Sequence, residues 1–181
     1  MKSQKDRGVS GGTAQVMSDV SAYLRKFLPS FPESSSSSPD DVPCFLVGHS
    51  MGGQAVIYHA AHHPSPAVRG YIAMAPWIRL PRDVAPNTLT VVSGQFAARF
   101  MPHFQVKQVV RAEMLSHDLE VVKAAKLDEL CHDHFTLEGA SGAITRGRDI
   151  DAGKAVVSKP VRAFLLAHGK LCLYCMPPIS L

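Results

Sequence analysis

Gly48-His49-Ser50-Met51-Gly52-Gly53 sets a serine among glycines in the G-x-S-x-G spacing. The stretch joins the apolar run Pro43-Cys44-Phe45-Leu46-Val47 to Gln54-Ala55-Val56-Ile57-Tyr58. That spacing suits a sharp turn from strand to helix. Glycines at 48 and 52 lack the Cβ atoms that would collide there, and the turn lifts the serine hydroxyl above the sheet edge. Ser50 is therefore the candidate nucleophile, and Gly48, Gly52 and Gly53 are the elbow glycines. The backbone N–H of Met51, the residue after the nucleophile, is one donor for the oxyanion. A serine also needs a base to take its proton and further donors to hold the charge that develops on the attacked oxygen. The competing reading of the same residues is a glycine-rich turn that binds an anion at a helix N-terminus.

Other chemistry-bearing residues are less organised. Cys131-His132-Asp133-His134 gathers three metal-ligand types in one short cluster, which cannot surround an ion without a partner elsewhere, so it reads as a solvated loop or helix end. Cys172-Leu173-Tyr174-Cys175 has C-x-x-C spacing but no second pair and no thioredoxin-like surroundings, and Cys44 reads as strand packing. The histidines at 59, 62 and 63 lie along or just past the helix after the serine, and those at 103, 117, 132 and 134 lie further on. Each reads as a surface or packing residue rather than a base. No metal and no organic cofactor is implied.

The elements that must position Ser50 follow from periodicity. Thr13 to about Leu28 is expected to be a helix with Val16, Val20, Leu24 and Phe27 on one face, and the serine run Ser34 to Ser38 is an exposed connection. Val42 to Val47 is nearly continuous in apolar residues, as for a central parallel strand covered on both faces, and the helix after the elbow reaches about Ala61. Further strands are expected over Val68 to Ala73 and Val161 to Ala167. Between them lie helices near Val106 to Leu115, Leu119 to Lys126 and Thr136 to Thr145, with Ser116 or Asp118 capping the second. Phe96, Phe100 and Phe104 fall at helical spacing and read as the interior of this helical region rather than a lipid-contacting surface.

Composition narrows the classes. The chain has 181 residues, 46% of them hydrophobic, which is enough for one domain with a real core. A net charge of +4 is scattered without a basic run, and only 7% of residues are aromatic, so nucleic acid is not an expected partner. The N-terminus has charge but no apolar segment behind it, which points away from a secretory signal and toward the cytoplasm.

With elbow, strand order and inserted helices in hand, the chain resembles the serine aminopeptidase and monoacylglycerol lipase branch of the α/β-hydrolase superfamily. The six residues from Gly48 to Gly53 have the form of that branch's elbow, and Ala75-Pro76 lies where its lid begins. Leu127 to Asp133 is similar to part of the fungal type of lid, and Val161 to Gly169 is similar to the strand that leads to the triad acid. The resemblance implies a partial α/β-hydrolase fold, with a parallel sheet of few strands flanked by helices and a helical lid inserted after the strand that follows the elbow. It divides the chain into a core part with the elbow (1–75), a lid (76–159), a returning core strand (160–169) and a tail unlike the family (170–181).

The implied activity is hydrolysis of lipid monoesters through Ser50, with a lipid or small ester as partner and with the lid as a route to peripheral contact with lipid surfaces. In the family the acid follows in a His-Gly-x-x-Asp form, whereas His168-Gly169 leads here to Lys170-Leu171-Cys172. The family's histidine comes after one more strand, and no histidine follows His168. A His-Gly pair that would supply the second oxyanion donor is also absent before Ser50. The sequence is thus expected to encode an impaired hydrolase, truncated at both ends, whose tail reads as a shifted frame or retained intron. The alternatives are a non-catalytic lipid- or protein-binding module and a truncated gene product.

Overall fold

The computed structural model describes residues 8–27, 43–80, 85–107 and 112–169. The serine run Ser34 to Ser38, Cys172, Cys175 and the tail from residue 170 lie outside these residues. The first helix, α1 (Thr13–Phe27), buries Met17 and Leu24, with Val20 against the same core. Phe27 was expected on that face. It is exposed and stacks on Tyr23 instead, because the last turn extends beyond Leu24, the final core contact of the helix.

Three parallel strands carry the site. β1 (Cys44–His49) pairs with β2 (Val68–Met74), and β2 pairs with β5 (Phe164–Ala167), giving the order β1-β2-β5. The helix after the elbow, α2 (Met51–His62), packs Val56, Ile57 and Ala60 on Tyr71 and Ala73 of β2, with Leu46 and Leu166 beside them. A strand sends alternate side chains to opposite faces, so this buries only one face of the sheet.

The other face is bare among the described residues. The register places Phe45 and Val47 in line with Ile72 and Leu165 there, and Phe45 and Val47 are each 54% exposed. The expectation of a central β1 covered on both faces is therefore corrected. Among the described residues β1 lies at the edge of the three-stranded sheet, with the burial alternation of a half-covered sheet, and its apolar run does not distinguish the two cases.

Between β2 and β5 lie α3 (Thr88–Ala98), β3 (Gln105–Lys107), a single 3-10 turn at Ala112–Met114, α4 (Leu119–Leu127), β4 (His134–Thr136) and α5 (Leu137–Asp151). The helix expected over Val106 to Leu115 is not formed: β3 pairs antiparallel with β4, Val106 opposite Phe135, and residues 108–111 lie outside the description. Asp118 caps α4 by accepting from Glu120 N at 2.9 Å, while Ser116 accepts from Asp118 N. Thr136 caps α5 by accepting from Gly139 N at 3.1 Å, and α5 runs past Thr145 to Asp151.

α3 went unrecognised as a helix. Asn87 starts it by accepting from Thr90 N at 2.8 Å, and it buries Val91 while packing on α5. Phe96 and Phe100 are not interior as expected. They are 64% and 71% exposed: the single buried position of α3 leaves Phe96 outward, and Phe100 and Phe104 are exposed beyond the end of the helix.

Candidate active site

Ser50 joins β1 to α2 at φ 54° and ψ −117°, in the positive-φ region that an L-residue occupies only when its surroundings hold it there. The hold is visible. Ser50 N donates to Met74 O of β2 at 3.0 Å, and Ser50 O accepts from Gln54 N at 3.1 Å and from Trp77 N at 3.0 Å. Ala75 also has positive φ, at 40°, and its N donates to Ala167 O at 2.7 Å, so the carboxyl ends of all three strands are tied beneath the serine.

The glycines divide the work differently from the sequence expectation. A Cβ on Gly48 would lie on the carbonyl of Gly52, and one on Gly53 would come within 3.1 Å of Gly48 O, Met74 O and Pro76 Cα. At Gly52 a Cβ would meet nothing within 4 Å. The close approach thus requires Gly48 and Gly53, and Gly52 contributes its backbone to the contact rather than needing space for itself.

Ser50 does not use its hydroxyl to cap α2, and among the described residues its Oγ has no hydrogen-bond partner. The Met51 N–H belongs to the first turn of α2, where backbone donors have no intrahelical acceptor and the helix dipole favours negative charge. A backbone N–H without an intrahelical acceptor therefore follows directly on the residue that carries this hydroxyl.

No histidine among the described residues bonds that hydroxyl. His59 is buried on α2 against Tyr71, with 5.9 Å between ring centroids. Burial, with the nearby His63 adding to it, lowers its pKa to about 4. His49 is exposed at the end of β1. His168 follows β5, with Nδ1 3.0 Å from Gly169 O and a buried Nε2 that has no partner among the described residues. The cluster at Cys131 to His134 is a loop entering β4, with Asp133 paired to Lys107 at 3.2 Å. Among the described residues no group of three His, Cys, Asp or Glu side chains is arranged to hold a metal.

Gln54 and Arg146, neither singled out in the sequence, organise the space behind the elbow. Gln54 Nε2 donates to Trp77 O at 2.7 Å and to Ala143 O at 2.8 Å, and its Oε1 accepts from Arg146 Nε at 3.1 Å. The available signal was spacing: Ala143, Arg146, Gly147 and Ile150 share one face of α5, so Arg146 lies on the apolar stripe. Beside this network, a cavity of about 320 Å³ between α3 and α5 is lined by Trp77, Val91, Val106, Leu137, Ala140 and Ile144. A neighbouring cavity of about 300 Å³ shares Trp77, Val91 and Ile144 with it and adds Gln54, Arg79 and Arg148. Ser50 lines neither, but Met51 packs on Trp77, which lines both, and on Ala143, which lines the second.

Comparison with known proteins fits this geometry. The family described as serine aminopeptidase, S33, matches residues 2–171. A monoglyceride lipase of Rattus norvegicus is 31% identical over 126 residues, covering 69% of this chain and 40% of the lipase. A putative monoglyceride lipase of Schizosaccharomyces pombe is 27% identical over 144 residues, covering 79% and 35% respectively. In three dimensions, a soluble variant of monoglyceride lipase from Saccharomyces cerevisiae, solved with a substrate analog, superposes with a TM-score of 0.78 at 19% identity. That match covers 97% of this chain and 56% of the yeast chain. The chain therefore spans well under two thirds of the length of these relatives. The elbow at Ser50, the parallel strands beneath it and the match along residues 2–171 make this chain a member of the serine aminopeptidase (S33) family of α/β hydrolases.

Proposed function

We propose that this chain carries the acyl-ester site of a monoglyceride-lipase-like serine hydrolase, with Ser50 as nucleophile, the Met51 N–H as oxyanion donor and strongly impaired turnover. The observation that carries the reading is the Ser50 backbone, held at positive φ by bonds from Gln54 and Trp77 while its hydroxyl is left free. Attack by Ser50 Oγ on an ester carbonyl needs a base to accept the proton, and among the described residues none is bonded to it. Residual turnover then depends on the oxyanion donor and binding alone, which in serine hydrolases leaves roughly 10³–10⁴ over water when the hole is complete.

Residues 76–159 act in this reading as the lid, and the cavity between α3 and α5 takes the acyl chain. Its volume of about 320 Å³ lies at the lower end of ligand pockets, which run from about 300 to 1,000 Å³. The relatives named as monoglyceride lipases support a lipid monoester as substrate. The outward Leu89, Val92 and Phe96 of α3, with Phe100 in the turn that follows, form an apolar stripe suited to a lipid surface, and no described helix is long and apolar enough to cross a membrane.

The test is a monoacylglycerol hydrolysis assay with intact-protein mass spectrometry. Slow release of fatty acid that disappears in Ser50→Ala supports the proposal. Saturable lipid binding with no Ser50-dependent hydrolysis favours the second reading, a hydrolase-like lipid-binding module, for which the same cavity is the supporting observation.

A further inference from the structure

Arg146 is only 2% exposed and, among the described residues, is the one buried side chain with a permanent charge. Its Nε donates to Gln54 Oε1 and its Nη1 to Thr13 Oγ1, each at 3.1 Å, and both acceptors are neutral. The ionisable groups on the packed helices are engaged elsewhere or make no ion pair with it. On α5, Asp149 pairs with Lys154 and Asp151 with Arg79, and Glu138 forms none; on α1, Asp19 accepts from Gln15; on α2, Tyr58 makes no hydrogen bond to it. A buried cation without a carboxylate is costly, so its retention calls for a use.

Its place suggests one. Gln54, which receives the guanidinium, is one helical turn from Ser50, and both Gln54 N and Trp77 N donate to Ser50 O. Gln54 also holds Trp77 through its carbonyl. We propose that Arg146 is a positioning residue for Ser50, clamping Gln54 and Trp77 beneath the elbow, and that its buried charge, which has no carboxylate partner among the described residues, favours negative charge at the residue-50 side chain and at the oxyanion beside Met51. The role rests on the reading of Ser50 as nucleophile. The helix dipole of α2 acts there with the same sign.

The size of the effect follows from Coulomb's law. One helical turn plus the hydrogen-bonded link puts the guanidinium on the order of 10 Å from Ser50. At an effective dielectric of about 20–40 this lowers the pKa of an acid at position 50 by roughly 0.6–1.2 units.

A thiol reports that field without needing a catalytic base. In Ser50→Cys, the pH dependence of iodoacetamide alkylation, resolved by peptide mass spectrometry, gives the pKa of the introduced thiol; circular dichroism melts establish folding. Adding Arg146→Met, which keeps bulk and removes charge, is expected to raise that pKa by about 0.6 units or more, whereas Arg146→Lys leaves it near the parent value. An unchanged pKa in folded Arg146→Met, or an equal rise in the Lys variant, overturns the proposal. If the Met variant does not fold, Arg146→Gln replaces it. If neither folds, the Ser50→Cys pKa decides: it must lie below that of the same thiol in the urea-unfolded chain, and a value at or above it overturns the proposal. Because alkylation needs no proton acceptor, a failure of ester hydrolysis at Ser50 leaves this outcome separately readable.

Discussion

His59 makes the seat of the elbow helix sensitive to acid. Its ring is buried between α2 and Tyr71, its Nδ1 has no partner among the described residues, and burial, with His63 adding to it, lowers its pKa from 6.5 to about 4. The neutral ring is therefore the folded form, and the unfolded chain binds the proton more readily. Its contribution is fully present above pH 6.5 and is lost as pH falls toward the folded value of about 4. Linkage between these two values gives a loss of about 2 kcal/mol at pH 5 and about 3 kcal/mol at pH 4. Urea unfolding followed by circular dichroism at pH 7.5, 6, 5 and 4.5 measures it, with His59→Phe as control because that ring packs on Tyr71 without titrating. The wild-type chain is expected to lose stability more steeply than the variant between pH 6.5 and 4.5, by about 2–3 kcal/mol. Equal slopes in the two proteins would refute the assignment of the effect to His59.

Gly48→Ala drives a Cβ onto the Gly52 carbonyl and is expected to cost about 3 kcal/mol, whereas Gly52→Ala, with nothing within 4 Å, gains up to about 1 kcal/mol from helix propensity; urea midpoints separate them. Gln54→Leu strands the Trp77 and Ala143 carbonyls and the Arg146 guanidinium together, so a loss of about 3–5 kcal/mol is expected in the same assay. On the bare face of the sheet, Phe45→Thr with Val47→Thr is expected to change stability by only about 0.5 kcal/mol per site. The same pair should raise the concentration at which light scattering first detects aggregates.

The elbow was legible because its chemistry is local: strand, turn and helix are consecutive, and glycine needs no distant partner to be recognised. The helices capped by Asp118 and Thr136 were legible for the same reason. Val106 and Lys107 read as the start of a helix because their pairing with Phe135 and His134 is non-local, and a three-residue strand carries too little periodicity to oppose a helix. α3 was missed because nearly all its apolar residues point outward, so no buried stripe marks it. The half-bare sheet was hidden as well, since an apolar strand at an edge and one at a centre have the same composition. Gln54 and Arg146 escaped because a polar side chain buried by a partner 92 positions away leaves no mark in either local sequence.

The central claim is that Ser50 is a nucleophile held ready by its backbone, and its most direct measurement is labelling of the folded chain by a fluorophosphonate with the adduct located by peptide mass spectrometry. Slow labelling confined to Ser50, and absent in Ser50→Ala, is the predicted result. A folded chain that resists labelling over hours at millimolar reagent, or reacts at another serine instead, would contradict it.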